Sequence, residues 1–570
     1  MRVTTNVHGY LRKYTIQSFI SEGAYDKTFP IKNEEGELEE ITVADYFKKT
    51  YDVTIRLKYA PLVLMSNKAL VPLETLKVAP NQRYSNALTT KQTSEVFKFS
   101  RIPPTRAEAF LKSYIQSDKS DFSLLKSFDI HITKEQVQTT GTQLSPPMLS
   151  CGRPCKPNQG CWDNNKCMEV ARPLRNVLAV CMSPGISESF VVGFFNHLSK
   201  VMTVPSNQTI ITCGIEEFKD KVGAEVQKAG MRHIHYDMIF VFMTNTDTTV
   251  YNTIKRTTDL RLGIPSQVVC TSRICSMSYI YGISLKINAK LGGLNQVLLH
   301  RPTLIKSSEE HVMVCGADVT HPSKGDKLIS VAGVVGTYDQ NFMRYASEAR
   351  TQLRRKEVIT QLGEMMESLF NCYYRKNGHV PAKVIFYRDG ISDSMFEVSI
   401  KKEVPQIYLA FRRCFPLYPE ELKLTFIICQ KKHNVRLFPE HKYADSKGSA
   451  IPGLVIDHEI TSSTFTDFYL QSHPTRIGTG RSCRYITLID DNDYDLEELE
   501  MFTYSLCYLL NRCTMAISIC APARYAHLVC FRARSVLGMS GGDLSQAEMS
   551  SEELPDFQFP ETMKDKMFYI

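Results

Sequence analysis

The sequence predicts a multidomain α/β protein with a small β-barrel-like domain at its amino end. Its 570 residues, at roughly 100 to 200 residues per domain, need several cores. From Val177 onward, apolar runs of strand length alternate with segments of helical period, the signature of βαβ units. Residues 1–84 differ, having short β-like runs at Val53 to Leu57 and Leu62 to Met65, several aromatic residues and no such alternation. The composition, 43% hydrophobic and 22% charged, is that of a globular chain, and no strong internal repeat points to a solenoid.

Pro-rich and polar stretches at Arg101 to Pro104, Pro146 to Gln159 and His300 to Ser308 divide the chain into four regions. In the third region, strands are expected at Val177 to Cys181 and Met238 to Met243, and helices at Phe190 to Leu198 and Tyr251 to Leu262. In the last, strands are expected at Val312 to Ala317, Ile329 to Thr337, Val384 to Tyr387, Leu424 to Cys429 and Tyr485 to Leu488. The opening MRVTTNVHGYLRKY lacks the apolar core of a signal peptide, and no apolar run approaches the roughly 18 residues of a membrane span. An intracellular protein with no membrane partner is expected. The 17 cysteines are spread thinly, so most are expected to be reduced and buried. Cys151, Cys155, Cys161 and Cys167 have a spacing that matches no usual zinc site, which favours a reduced loop with Trp162 as its packing anchor.

Charge is unevenly placed. Between Tyr251 and Lys306 stand eight basic residues against the single Asp259, which points to an anionic partner. No GxxxxGK[ST] segment is present to make that partner a P-loop nucleotide. Asp490 to Glu500 carries seven carboxylates and reads as solvated surface, as does the acidic tail from Asp543. Two apolar strands end in aspartate, Asp318 in HVMVCGADVTHP and Asp389 in KVIFYRDG. Both belong at carboxyl edges of a sheet, where ligands of open α/β sheets gather. Paired carboxylates repel unless a cation lies between them, and hard oxygen donors suit Mg²⁺ or Mn²⁺. Taken singly, each aspartate serves equally well to start a turn or cap a helix.

Longer motifs go further. GADVTHP, FYRDGISDSMF, QKKHNVRLFP from Gln430, DFYLQSHPTRIGTGR from Asp467 and CAPARYAHLVCFRAR from Cys520 closely resemble the PIWI domain of eukaryotic Argonautes. The resemblance continues through KINAKLGG at Lys286, QGCWDNNK at Gln159 and TFPIKNEEGELEEITVADYF at Thr28, and so spans essentially the whole chain. It implies a PAZ domain at 1–84, truncated at its start, a second linker at 85–170, a Rossmann-like MID domain at 171–300 and an RNase H-like PIWI domain at 301–570. It also implies that the family's N domain and first linker have no counterpart before Met1.

The resemblance assigns the metal-binding catalytic set to Asp318, Glu357, Asp389 and His527, with two Mg²⁺ or Mn²⁺ ions as cofactor. Alone, Glu357 reads as a solvated helix position among Arg354, Arg355 and Lys356, and His527 as a structural histidine. The 5′ phosphate of a guide is assigned to Tyr251, Lys255, Gln267, Lys286, Lys290 and Arg532. Residues four apart in a helix share a face, as Tyr251 and Lys255 do, and Lys286 and Lys290. For the guide's 3′ end the candidates are Tyr46, Phe47 and Tyr59, which as aromatics in a small barrel could equally fill its core. The family's common RYPHLP reads Arg56-Leu57-Lys58-Tyr59-Ala60-Pro61 here, and Arg524 replaces a common tyrosine near His527. The implied function is Mg²⁺-dependent cleavage of target RNA complementary to a bound small guide RNA, in gene silencing. The implied setting is a monomeric ribonucleoprotein, cytoplasmic or also nuclear, with glycine-tryptophan repeat proteins as candidate partners. A non-cleaving guide-binding scaffold is the alternative, and an unguided RNase H-like nuclease conflicts with the complete phosphate set.

Overall fold

The protein is described by a computed structural model that covers the chain except residues 8, 33–35, 83–87, 117–122, 134, 164–168, 170, 172, 206–207, 246, 274–275, 323–328 and 538–556. The described chain forms two compact units, Met1–Ser94 and Glu95–Ile570.

In the first unit five strands form a sheet in the order Leu70–Pro72, Leu62–Met65, Arg12–Ile20, Arg2–Thr5, Lys77–Val78, every pairing antiparallel. Beside it lie a hairpin of Thr28–Lys32 with Leu38–Thr42 and the helix Val43–Tyr51. Thr42 caps that helix by accepting from the Asp45 amide. Its other end corrects the strand expected at Val53 to Leu57, which is irregular. Asp52 turns left-handed at φ 51° and donates its amide to the Lys48 carbonyl, while the Val53 amide reaches the Phe47 carbonyl. The backbone groups that a strand would have offered close the helix instead.

The second unit contains a four-stranded parallel sheet, ordered Thr209–Thr212, Val177–Cys181, Met238–Met243, Ser266–Cys270. Residues alternate between its faces. Val177, Ala179, Phe240 and Phe242 pack under helices Glu188–Leu198 and Met277–Lys290, whereas Leu178, Val180, Ile239 and Val241 pack under Ile215–Met231 and Thr248–Lys255. Strands buried on both faces read as continuous apolar runs, which is why they are visible in the sequence. The resulting doubly wound layer is the expected Rossmann-like arrangement.

A nine-stranded mixed sheet follows, ordered Tyr345–Gln352, Ser330–Thr337, Val312–Thr320, Lys383–Asp389, Lys423–Gln430, Cys483–Asp490, Thr466–Gln471, Leu454–Ile456, Thr142–Gln143. Val312–Thr320, Lys383–Asp389 and Lys423–Gln430 run parallel, and the flanking pairs are antiparallel. One face carries helices Leu362–Asn377 and Val404–Cys414, the other Leu496–Leu506 and Ala521–Leu537. The Tyr345–Gln352 strand, sequence YASEARTQ, is wholly buried although it holds Glu348 and Arg350. Glu348 accepts from Arg350 at 2.6 Å and Ser368 at 2.5 Å and pairs with Lys564 at 2.8 Å. Those partners make the burial tolerable, and no local pattern announces them.

The acidic stretch expected to be solvated is exposed at Asp490, Asp491, Asp493, Asp495 and Glu497, and three of these also hold structure, while Glu500 departs from the expectation. Asp491 accepts from the Leu424 amide at 3.0 Å, Asp490 from Thr425 at 2.6 Å, and Asp495 caps Leu496–Leu506. Glu500 is only 3% exposed, and burial together with Asp457 pushes its carboxyl up to about 8. Trp162 is buried against Tyr508 at 5.5 Å between ring centroids, as a packing anchor should be. The described cysteines other than Cys151 are free thiols, and Cys167 of the proposed cluster lies outside the described residues. No described helix is long and apolar enough to cross a membrane.

The Ala521–Leu537 helix sits on the sheet at backbone contact. A methyl group on Gly316 would lie 2.2 Å from the Pro522 carbonyl, and one on Gly333 would lie 2.8 Å from Cys530 Sγ and 3.0 Å from the Ala526 carbonyl. Gly316→Ala is therefore expected to lower stability by about 1 to 3 kcal/mol, as overpacking does. Urea unfolding measures this, and an unchanged midpoint would show that the helix can rise from the sheet freely.

Candidate functional site

Two groups of side chains flank that helix. The first lies at the carboxyl ends of the parallel strands Val312–Thr320 and Lys383–Asp389, whose last registered pair is Ala317 with Arg388. One step on, Asp318 and Asp389 emerge side by side. Asp318 Oδ1 accepts from the Val319 amide at 2.7 Å, and its Oδ2 lies 2.9 Å from His527 Nδ1. Burial and the Asp318 charge push the Asp389 carboxyl up to about 6, against the lowering pull of His527 and Arg388. The chain leaves Asp389 through Gly390 at φ +90°, a conformation glycine permits. A methyl group there would lie 3.5 Å from Asp318 Oδ1 and 4.0 Å from Glu357 Oε2, so both carboxylates border the same small space.

Glu357 is in the loop between Tyr345–Gln352 and Leu362–Asn377, not in a helix. Its Oε1 lies 2.8 Å from His321 Nε2, which is not aligned for a hydrogen bond. Asp318, Glu357, Asp389 and His527 thus border one end of the sheet, held by neighbours. Among the described residues no three His, Cys, Asp or Glu side chains stand close enough to hold a metal ion as they are. Their chemistry fits one nevertheless. Three carboxylates and an imidazole are donors for a hard divalent cation, and a raised Asp389 is the mark of negative charge short of a counter-ion.

The second group lines a cavity of about 460 Å³ at the carboxyl ends of Met238–Met243 and Ser266–Cys270. Tyr251, Lys255, Gln267, Lys286, Lys290 and Arg532 all face it, although they come from three helices and a strand. Lys255 Nζ donates to the Ser266 carbonyl at 2.8 Å and Oγ at 2.7 Å. Lys290 Nζ donates to the same carbonyl and to Gln267 Oε1, each at 2.9 Å. Arg532 donates to Asp259, to the Phe568 carbonyl at 3.2 Å and to the Tyr251 hydroxyl at 3.1 Å. Its guanidinium and Lys255 Nζ lie 5.9 and 5.7 Å from the Tyr251 ring centroid.

Cations so crowded resist their own charge. Burial lowers Lys255 to about 7 against the support of Asp259, and burial with Arg512 and Arg532 lowers Lys286 to about 8. Lys290 is pushed well below its ordinary value by burial and by Lys255. An anion would relieve all three. Sequence reasoning missed Arg512, which lines the cavity, and the chain's last residues, Tyr569 and Ile570, which do too. Arg512, a basic residue in the otherwise uncharged run LLNRCT, was the available signal.

The candidates for a third site lie in three different surroundings. Tyr46 joins Phe29, Phe47 and Tyr51 in an aromatic cluster, with ring centroids 5.2 to 6.2 Å apart. Phe47, 5% exposed, is core of the first unit, and a base could not stack on it without opening that core. Tyr59 is 89% exposed in a turn.

Residues 238–538 match the Piwi domain family and residues 1–97 the PAZ domain family. The chain is similar to the crystal structure of Kluyveromyces polysporus Argonaute with a guide RNA, at 25% identity and a TM-score of 0.81 over 100% of this chain and 67% of that one. It is similar to the C-terminal lobe of a budding yeast Argonaute at 25% identity and a TM-score of 0.66, over 75% of this chain and 95% of that one. Drosophila Piwi shares the fold at 16% identity and a TM-score of 0.67, over 100% of this chain and 74% of that one. The nine-stranded domain is accordingly RNase H-like.

A phosphate entering the lysine cavity should take up protons. With free-state values of about 7 for Lys255 and about 8 for Lys286, the anion raises both, so that near pH 8 neutral amines become charged on binding. Affinity should begin to fall as pH rises through about 7 and fall more steeply beyond about 8, because binding must then protonate first Lys255 and then Lys286. Calorimetry of a 5′-phosphorylated oligonucleotide in buffers of different ionisation enthalpy reads the uptake directly. No buffer dependence would mean that the lysines are already charged.

Proposed function

The chain belongs to the Argonaute family, with both a Piwi and a PAZ domain, and from that premise we propose that it binds a small guide RNA by its 5′ phosphate and hydrolyses complementary target RNA. The observation that carries the reading is the single helix Ala521–Leu537, which sends Arg532 into the cation-lined cavity and His527 to Asp318. A helix that serves both sites couples the place where a guide would start to the place where a paired strand would be cut.

In this reading residues 171–300 form the MID domain, 301–570 the PIWI domain, 85–170 the second linker and 1–84 the module for the guide's 3′ end. Lys255, Lys286, Lys290 and Arg532 neutralise the terminal phosphate, Gln267 donates its amide to it, and the Tyr251 ring stacks on the first base. Target choice then rests on base pairing, with the protein contacting mainly backbone.

At the carboxylates, Asp318, Glu357, Asp389 and His527 would hold two Mg²⁺ or Mn²⁺ ions, whose chemistry is to polarise the phosphodiester and acidify a water. Asp318, which lies 2.9 Å from His527 and whose charge acts on Asp389, would help to hold them. The raised Asp389 carboxyl is ready to exchange a proton for such a charge. Attack of the water oxygen at phosphorus expels the 3′ oxygen and leaves a 3′ hydroxyl and a 5′ phosphate.

The second reading, a guide-bound scaffold without cleavage, is favoured by one observation. His527 is engaged with Asp318 and Glu357 with His321, so the four side chains must exchange partners before they act.

Asp389→Ala is expected to abolish cleavage and to leave guide affinity unchanged within about twofold, as cleavage gels and filter binding would show. Cleavage at the wild-type rate sinks the catalytic assignment. Because Asp389 protonates near 6, cleavage should decline as pH falls through about 6, and higher Mg²⁺ should move that limb lower. Lys286→Ala with Lys290→Ala should weaken 5′-phosphorylated guides by about a hundredfold or more, since charge-assisted bonds contribute roughly 1.5 to 3 kcal/mol each. Equal weakening of 5′-hydroxyl guides would instead indicate a general electrostatic surface.

A further inference from the structure

The acidic run Asp490 to Glu500 contains one carboxyl that the fold leaves without a partner. Glu500 sits on helix Leu496–Leu506 with 3% of its surface exposed, and its Oε1 is buried with no hydrogen bond. The charges that act on it are all acidic: burial first, then Asp457, Glu497 and Asp495, push its carboxyl up to about 8. Other buried acids of this domain are paired, Glu348 with Arg350 and Lys564, and Asp467 with Arg484. A buried acceptor without a donor costs free energy that a native fold normally avoids.

Next to this helix is a cavity of about 320 Å³, bordered by Asp457, the hydroxyl-rich turn 461–466, Asp467 and Leu496. Leu496 precedes Glu500 by four residues and so shares its helical face. Asp457 borders the cavity and is also the nearest acid by its effect on Glu500. Asp467 is occupied by the Ser462 amide and Arg484, and Asp457 Oδ1 lies 2.7 Å from His458 Nδ1. Glu500 is the acid left over.

We infer that this cavity docks a lysine side chain of a basic polypeptide partner, its ammonium held by Glu500 and Asp457 and its methylenes lying along Leu496 and Phe465. The lining offers carboxylate and hydroxyl oxygens, and an ammonium brings three donors and no acceptor. Leu496 and Phe465, both half-buried, give an alkyl stem an apolar wall. A bare metal ion fits less well, since among the described residues no three His, Cys, Asp or Glu side chains stand close enough to hold one. A single buried acceptor suits a compact point charge better than the planar fork of an arginine. The partner is a chain and not a small cation because the acidic surface continues past the cavity: Asp495 and Glu497, both exposed, flank Leu496, and Asp490, Asp491 and Asp493 precede them. Successive basic residues of one segment can meet these carboxylates.

Hexalysine titrated by calorimetry into the guide-free full chain at pH 7 is the test. Glu500 holds its proton at that pH, and an ammonium beside it drives the proton off, so binding should release up to one proton, read as a dependence of the heat on buffer ionisation enthalpy. Glu500→Gln, which keeps the shape, should weaken hexalysine by about tenfold or more and abolish the release. Glu497→Gln, at the rim, should change affinity by less than about twofold. Asp457→Asn should weaken binding and also shrink the release, because losing its charge lowers Glu500 toward the ordinary carboxyl range. Equal weakening by Glu500→Gln and Glu497→Gln, or binding without proton release, would mean a diffuse acidic surface and overturns the inference. Hexaarginine bound as tightly, with the same Glu500 dependence, overturns the choice of lysine. Spermine bound more tightly than hexalysine overturns the polypeptide partner in favour of a free polyamine.

Discussion

The contact on which the two candidate sites depend is backbone against backbone, where helix Ala521–Leu537 meets the large sheet at Gly316 and Gly333. Removing two Cβ atoms lets the helix descend until Pro522 and Ala526 touch the strands. At that height His527 reaches Asp318, two residues along the strand from Gly316. Five residues further along, at 100° per residue, the helix presents a different side, and Arg532 there enters the cation-lined cavity. One rigid rod thus sets the depth of both groups. A shift of an ångström would part the imidazole from its carboxylate and the guanidinium from Asp259 and Tyr251 together.

Burial is the main cause of the contrasting titration of the two groups, and the like charges within each add to it. In the cavity Lys255, Lys286 and Lys290 are all lowered, with Asp259 the acid that resists the fall in Lys255 and Lys290. At the strand ends Asp389 is raised by burial and Asp318, and His527 and Arg388 only partly offset this. Each place is incomplete in the sense that a ligand of the right sign would lower its free energy. Such frustration opposes folding, and sheets buried on both faces supply the surrounding stability that allows it.

Much of this was legible in the sequence because it depends on local rules. Apolar runs buried on both faces announced the parallel strands, and an aspartate closing such a run announced a strand-end ligand. The i, i+4 spacing of Tyr251 with Lys255 and of Lys286 with Lys290 placed each pair on one helical face. What was illegible depended on partners distant in the chain. YASEARTQ does not read as a buried strand until Lys564 and Ser368 reach Glu348. Glu500 sits in an acidic run whose surface character was a sound inference from charge alone, yet helix Leu496–Leu506 turns that residue inward. The run VTIRL has the β-branched composition of a strand, but the left-handed Asp52 had already committed the preceding amides to ending a helix.

Glu357 shows why the last part of such a site is the hardest to read. Its neighbours Arg354, Arg355 and Lys356 describe an exposed polar segment, and the structure agrees that this segment is a surface turn. Below that turn a guanidinium on the central strand donates to the Glu357 carbonyl and is itself held by Glu403, at the junction of helices Phe396–Lys402 and Val404–Cys414. Three elements separated by up to 46 positions in the chain meet at that point, and none carries a periodicity that reports the meeting. Arg388 was the visible irregularity, a charge inside VIFYRD where a strand buried on both faces should be apolar. A charged residue in such a run, lying one position before a candidate ligand, is therefore a sign that something beyond the strand is being held in place.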